Sequence, residues 1–419
     1  MGKKDFTKYR PKVVVAMSGG VDSSVAAALL KKQGYEVVGV FMRFWAGPTT
    51  NYQQPTSNLC YSEGTEAAAR AVAAKLKIPF YVFNFAKEFK KEVVDYFLAE
   101  SAAGRTPNPC VVCNKKIKFG LLLKKALELG ADYLATGHYA RKTVIASPAK
   151  RDAAIPPALR RRLRRGECQI VKSRDCHGAP PLASGGAPRN DIYGLFSAKD
   201  KNKDQSYFLC GLGQEQLSRI IFPLADYKKE EVYKLAKKWK LPHRREESFD
   251  LCFTGGDTRG FIKKYLKLKP GRISDLAGKI LGEHQGLALY TIGQRKNLAV
   301  SNGPWWVIKK DEHGNILYVS KNEKDLYSQE LIVGGINWIG GKAPKLPFKA
   351  LVKIRYRSAA SAAVIRGIAR RPCPPMAGKA AHHDAVRVKF QKPQRAITPG
   401  QSAVFYSKSG EVLGGGMIS

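Results

Sequence analysis

Val13-Val14-Val15-Ala16-Met17-Ser18-Gly19-Gly20-Val21-Asp22-Ser23-Ser24 is the stretch whose reading decides the fold. A β-branched apolar run predicts a strand, and the Ala/Val/Leu-rich residues after it predict a helix. Between them, two glycines permit a sharp turn and a close approach of backbone to ligand. The serine side chains and the first unpaired N–H groups of the helix then face a common point, where the helix dipole favours an anion. The pattern reads as a phosphate cradle. It is not a Walker loop, because no Gly-Lys-Ser/Thr follows at the required spacing.

Outward from that loop, residues 12 to 140 alternate strand and helix signals. Val13–Met17, Glu36–Met42, Phe80–Phe85 and Asp132–Thr136 are short apolar runs, with helical patterns at Val21–Lys32, Glu63–Leu76, Lys87–Ala103 and Lys116–Leu129 between them. Such alternation predicts an α/β domain with a parallel sheet, whose ligands sit at the carboxyl ends of the strands. Met42 ends one strand, where it could line an adenine pocket or simply pack in the core. Gly137 and His138 follow another; Gly137 permits close approach, and His138 is either a ligand contact or a satisfied structural histidine.

Residues 142–190 break the pattern. They are rich in Pro, Ala, Gly and Arg and include Arg160-Arg161-Arg162-Leu163-Arg164-Arg165; they read as a long basic insertion. A smaller insertion of similar flavour is read at 358–384. Helices are expected at Phe222–Lys240 and Arg259–Leu268. From Ile280 onward the chain changes to short strands: Leu287–Ile292, Trp305–Lys309, Ile316–Ser320, Glu330–Trp338, Phe348–Tyr356, Ala385–Phe390, Ser402–Tyr406 and Glu411–Ile418. This predicts a small all-β domain, a barrel. The expected division is 1–225, 226–290 carrying Cys252, and 291–419.

The chain of 419 residues has a formal net charge of +38 and a sequence pI near 9.9, a field that favours polyanions, nucleic acid first among them. No stretch approaches the ~20 apolar residues of a membrane span, and the amino terminus lacks the apolar core of a signal peptide. A cytoplasmic or equivalent compartment is expected, where the eight cysteines stay mainly reduced. Cys110 and Cys113 form a Cys-x-x-Cys that opens a lysine-rich helical segment, and both features lower a thiol pKa. Cys252 lies in an apolar run ending in glycines. Two thiols meeting across domains suit persulfide transfer, one carrying sulfur and the other accepting the disulfide. The same three cysteines, Cys110, Cys113 and Cys252, could instead hold an iron–sulfur cluster with one open position. Cys60, Cys168, Cys176, Cys210 and Cys373 read as structural or incidental.

The set of motifs resembles the tRNA-uridine 2-sulfurtransferases. The resemblance rests on Met17–Ser24, Gly104-Arg105-Thr106-Pro107-Asn108-Pro109, Cys113-Asn114-Lys115, Ile117-Lys118-Phe119 and Ala135-Thr136-Gly137-His138-Tyr139. It continues through Lys203-Asp204-Gln205-Ser206-Tyr207-Phe208-Leu209, Leu251-Cys252-Phe253, Gly282-Glu283-His284-Gln285-Gly286, Thr291-Ile292-Gly293-Gln294-Arg295-Lys296 and Thr398-Pro399-Gly400-Gln401. It covers nearly the whole chain outside the two insertions. It implies a PP-loop ATP-pyrophosphatase domain, a small central domain and a C-terminal β-barrel.

It further implies an enzyme that adenylates the C2 oxygen of the wobble uridine with ATP and Mg²⁺. Sulfur would then come from a persulfide donor protein, without involvement of a membrane. By motif position, Ala16, Met17, Ser18, Gly19, Gly20, Val21, Asp22, Ser23, Met42 and Gly137 would bind ATP. Cys113 would be the nucleophile and Cys252 the persulfide carrier. Asn108, Pro109 and Cys110 would approach the target base, and His138, Lys203, Asp204, Gln205, Arg355, Tyr356 and Gln401 would contact tRNA. Many members carry Asp where this chain has Cys110, so a [4Fe-4S]-bound sulfur stands beside the persulfide relay. A PP-loop ligase or amidase acting on a small molecule is the alternative function.

Overall fold

The computed structural model describes residues 10–45, 63–145, 191–242, 251–368 and 385–419. The first unit is a five-stranded parallel sheet built from β1 (Lys12–Ala16), β2 (Glu36–Arg43), β3 (Phe80–Asn84), β4 (Tyr133–Thr136) and β7 (Ile220–Ile221), in the order β3-β2-β1-β4-β7. Alternate side chains of β1 serve opposite faces. Val13, Val15 and Met17 pack with α1 (Val21–Lys32) and α2 (Glu63–Leu76). Val14 packs on the other face with α3 (86–102) and α4 (109–128). A strand covered on both faces needs the continuous apolar run seen in the sequence.

The chain winds outward from β1 to β3, then returns across β1 to β4. The crevice between the carboxyl ends of β1 and β4 is therefore the topological switch point, the place where such sheets bind ligands. Both α3 and α4 contain π-helical stretches, Lys90–Val94 and Asn114–Leu122. The second of these begins directly after Cys113.

A second sheet has the order β10-β11-β8-β9, from β8 (Gly271–Ser274), β9 (Ile280–His284), β10 (Trp306–Asp311) and β11 (Ile316–Ser320). The third is a closed barrel of β12 (Tyr327–Trp338), β15 (Val386–Arg395), β14 (Ser361–Gly367), β13 (Phe348–Lys353), β16 (Ser402–Tyr406) and β17 (Glu411–Ile418), with β12 pairing β17 to shut it. Its interior is the alternating apolar set that includes Val333, Val352, Ile365, Val388, Phe390 and Phe405.

Several expectations need correction. β10 and β11 belong to the second sheet, where β11 runs parallel to β8, rather than to the barrel. Ser361–Gly367, read as part of an insertion, is a barrel strand hydrogen-bonded on both sides; its alanines are small, but Ala363 and Ile365 alternate inward. Residues 142–145, read as the start of the larger insertion, belong to β5 (Ala140–Ile145), which pairs with β6 (Ile192–Ser197). Leu287–Ile292 holds a short 3₁₀ turn, Leu287–Leu289, instead of a strand. The helices expected at Phe222–Lys240 and Arg259–Leu268 are shorter, α6 (Lys229–Lys238) and α7 (Thr258–Tyr265). A short α5 (Gln214–Ser218) precedes β7. Cys60, Cys168, Cys176 and Cys373 lie outside the described residues.

β6 also pairs with β17, through Glu411–Phe196 and Val412–Leu195, so the first unit adds a hairpin to the barrel wall. Phe405 is fully buried in the barrel and stacks on Trp338 with ring centroids 5.6 Å apart. Truncation there leaves a cavity. Phe405→Ala is expected to lower stability by about 3–5 kcal/mol, read from urea unfolding.

Candidate active site

The loop after β1 adopts the turn its sequence demands. Gly19 has φ +76°, and a Cβ at that position would lie 2.4 Å from the Thr65 carbonyl oxygen. Only glycine fits there. The hydroxyls brace the turn: the Ser18 N–H donates to Ser23 Oγ (3.1 Å), and Ser24 Oγ donates to the Gly20 carbonyl (2.8 Å). Gly20 occupies the N-cap position of α1 and supplies no side-chain cap, which leaves first-turn N–H groups for an anion. Across the switch point, a Cβ on Gly137 would come within 2.8 Å of the Ser23 nitrogen. The β4 end thus lies directly against the start of α1. Met17 is buried beneath the loop, and Met42 is half-buried against the core on the α3/α4 face of the sheet.

Asp22 projects from the first turn of α1 and is engaged on both oxygens by Lys229 Nζ, at 2.8 and 2.7 Å. The Tyr139 hydroxyl also donates to it, at 2.7 Å. Lys229 is 7 % exposed and comes from the start of α6, which packs on α1 through Val232, Ala236, Val25 and Leu29. Sequence reasoning missed both Lys229 and Tyr139. An ordinary amphipathic lysine-rich helix carries no local sign that its first lysine turns inward.

The second cluster is the cysteine helix. Pro109 is the first residue of α4, as suits its fixed φ. Cys110 is partly exposed and Cys113 is buried. Cys252 sits in the turn 251–256, and its neighbour Phe253 inserts between Phe89, Phe97 and Phe261, with centroids 5.3–5.9 Å away. Cys113 is part of this same apolar cluster and Cys252 borders it. The structure thus brings the two cysteine segments onto one core. Beside them opens a cavity of about 210 Å³, lined among others by Arg105, Thr106, Leu251, Arg259 and Thr291. Cys210 differs from the others: burial pushes its thiol up to about 12.

The residues expected at the RNA are placed less uniformly. His138 is buried between Phe119 and Phe222, its Nδ1 2.8 Å from Thr136 Oγ1. Burial, with Lys118 nearby, holds its pKa well below the ordinary value. Asp204 is buried and accepts from the Ala198 and Ser206 N–H groups and from Ser206 Oγ. Gln205 bonds the Tyr139 backbone in both directions. Arg355 Nη2 donates to the Ile292 and Ala396 carbonyls and to Thr398 Oγ1. Gln401 Nε2 donates to the Thr106 and Pro107 carbonyls. Tyr356 packs against Phe208 with ring centroids 4.4 Å apart and the planes tilted by 39°, and Lys203 is half-buried beside the Asp200 turn.

Among the described residues no group of three or more His, Cys, Asp or Glu side chains is arranged to hold a metal ion.

A parallel sheet with a glycine cradle at its switch point, followed by a closed barrel, is the architecture of a PP-loop protein. Three family models match in succession. One described as tRNA methyl transferase HUP domain covers residues 11–161 and 181–256, the tRNA methyl transferase PRC-barrel domain covers 259–321, and the aminomethyltransferase beta-barrel domain covers 328–418. The chain is 41% identical over 413 residues to the tRNA-specific 2-thiouridylase MnmA of Roseiflexus castenholzii, spanning 97% of this chain and 99% of that one. It is 40% identical over 419 residues to the enzyme of that name from Legionella pneumophila strain Paris, spanning 98% of each. Among solved structures, a U34-tRNA thiolase, NcsA from Methanococcus maripaludis with its [4Fe-4S] cluster, matches with a TM-score of 0.30 at 17% identity. That match covers 62% of this chain and 69% of that chain. The chain belongs to the tRNA-specific 2-thiouridylase family.

Lys229→Met should leave Asp22 without its cation and slow ATP-dependent pyrophosphate release by about tenfold or more, measured by a coupled pyrophosphate assay. His138 supplies a pH test. Its folded pKa is depressed, so the unfolded chain binds the extra proton, and stability should fall as pH drops from about 6.5 toward the folded value. Urea unfolding across that window should show the loss, and His138→Gln should reduce it.

Proposed function

We propose that this enzyme carries out ATP-dependent 2-thiolation of the wobble uridine in tRNA. The observation that carries the reading is one chain holding both a glycine cradle at a sheet switch point and two cysteine segments packed on a common core. A uridine carbonyl oxygen is a poor leaving group, and attachment to the α-phosphate of ATP makes it a good one. The C2 oxygen attacks that phosphorus and pyrophosphate leaves. ATP enters as its magnesium complex, so the cation arrives with the substrate. Ser18–Ser23 and the start of α1 hold the phosphates, with Ala16, Met17, Met42 and Gly137 around the nucleotide.

Sulfur arrives as a persulfide on Cys252, supplied by a donor protein. The terminal persulfide sulfur attacks C2 and AMP departs, leaving a Cys252–S–S–C2 link. The Cys113 thiolate then attacks the Cys252 sulfur. The S–S bond to the base breaks, its electron pair stays on the sulfur now at C2, and a Cys113–Cys252 disulfide forms. An external dithiol reduces that disulfide in two exchanges, freeing both cysteines and leaving as a disulfide itself. This electron balance favours a reducing, cytoplasm-like compartment. Asn108, Pro109 and Cys110 border the base, which must leave its stack in the single-stranded anticodon loop to reach a buried thiol. The large positive charge of the chain attracts the RNA backbone. Among the described residues no helix is long and apolar enough to cross a membrane.

Cys113→Ser and Cys252→Ser should each abolish 2-thiouridine formation, measured by nucleoside mass spectrometry, while tRNA-dependent pyrophosphate release continues for a first turnover. Wild-type thiolation by either variant would remove the roles given to these residues. Iron analysis of anaerobically purified enzyme separates the relay from a cluster: stoichiometric iron in active enzyme would replace it. tRNA affinity should fall steeply and linearly in log Kd against log salt as bound cations are released, and a flat plot would reject a large phosphate interface.

A further inference from the structure

Helix α4 carries Cys110 and Cys113 in its opening turns, and beyond the fixed φ of Pro109 its start has no local side-chain cap. Asn108, at the N-cap, has φ −112° and ψ 83°, and its side chain makes no capping hydrogen bond. A helix entry without a local cap takes its direction from whatever else holds the preceding residues. Here that is the barrel. The Thr106 N–H donates to the Pro399 carbonyl at 2.9 Å. Gln401 Nε2 donates to the Thr106 carbonyl at 2.9 Å and to the Pro107 carbonyl at 3.4 Å. The Tyr207 hydroxyl donates to the Ser402 carbonyl at 2.9 Å and is hydrogen-bonded to the Asn108 side chain. Gly400 lies between them with φ +90°; a Cβ there would sit 2.9 Å from the Thr106 nitrogen.

Residues 399–402 thus grip Thr106, Pro107 and Asn108 in succession, and the next residue, Pro109, begins α4. The grip is itself anchored. Arg355 Nη2 binds Thr398 Oγ1 at 2.6 Å, the Ala396 carbonyl at 3.0 Å and, outside the barrel, the Ile292 carbonyl at 3.0 Å.

We propose that the barrel turn 399–402 is a positioning element for the cysteine helix, with Gln401 as its principal positioning residue. The proposal deepens the thiolation reading and rests on it for the role of Cys113. The unpaired N–H groups of a first helical turn activate a thiol placed there, which here is Cys110, and the direction of that turn aims Cys113 one turn further in. Gln401 therefore acts on the chemistry through Thr106 and Pro107, without touching the reacting atoms. Any RNA that engages Gln401 or Arg355 would have to share or exchange these hydrogen bonds.

The test uses full-length enzyme without RNA. Iodoacetamide labelling of Cys110 and Cys113 is followed by peptide mass spectrometry across a pH series, beside kcat and KM for tRNA thiolation. Gln401→Ala should change the Cys113 labelling rate by about threefold or more and move its pH midpoint. It should also lower kcat by about tenfold with a smaller change in KM. Gln401→Glu, which turns a carboxylate toward two carbonyls, should be at least as severe. Thr398→Val, which removes only the hydroxyl that Arg355 binds, should act in the same direction more weakly, and it serves if Gln401 variants lose their circular dichroism. Folded variants with unchanged labelling and pH midpoint, and only a raised KM for tRNA, would overturn the proposal and leave Gln401 as an RNA contact. Continued thiolation by Cys113→Ser would instead overturn the chemical reading, while labelling of Cys110 would still report the position of the helix.

Discussion

The start of α1 must face a ligand with its N–H groups open, and nearly everything around it is arranged to keep side chains out of the way. Gly19 passes under the Thr65 carbonyl at a distance that no Cβ tolerates, and Gly137 presses against the Ser23 nitrogen from the neighbouring strand. The loop serines spend their hydroxyls on the turn itself. What results is a cradle shaped by backbone, at the one place where a parallel sheet reverses its winding. The charge at its edge is fixed by Asp22, Lys229 and Tyr139, three residues from three separate segments. Lys229 is buried while Asp22 stays partly exposed, and each oxygen of Asp22 has a donor.

A second dependence links the cradle to the thiols. The glycine cradle and the two cysteine segments come from separate stretches of the chain, so packing must register them. The aromatic group of Phe89, Phe97, Phe253 and Phe261 does this for Cys252, holding its turn against α3. Edge-to-face aromatic contacts have narrow geometry and add about 0.5–1.5 kcal/mol each beyond area burial. The turn that carries Cys252 is thereby seated on aromatic side chains as well as on its own hydrogen bonds. On the other side, the barrel reaches the loop before Cys110, so all three units contribute to one small region.

The first sheet is legible in the sequence because its strands are buried on both faces and read as uninterrupted apolar runs. The barrel is legible in class but not in membership. Strands β10 and β11 have the same alternating character as barrel strands, and nothing local says which sheet they will join. The small residues of β14, Ala362 and Ala363, resemble those of a loose insertion, yet Ala363 stands opposite Phe390. A barrel interior needs a small side chain beside so large a ring. In the site, the glycine cradle and the two cysteine motifs can be read from short patterns. Lys229 cannot, since its role exists only once α6 lies across α1. The resemblance assigns Asp204, Arg355 and Gln401 to RNA. The structure commits their polar atoms to contacts within the chain, because folding has already gathered those loops together.

The hairpin β5–β6 gives one further consequence, in the order of synthesis. Its edge partner, β17, lies far along the chain. Until those residues leave the ribosome, β6 presents unpaired backbone to the solvent, the kind of edge that invites pairing with another nascent chain. The barrel cannot be regarded as an appendage added to a finished catalytic unit. The first unit waits for β17 to complete the pairing of β6, and a chain truncated before β17 would display a sticky edge as well as lack a closed barrel.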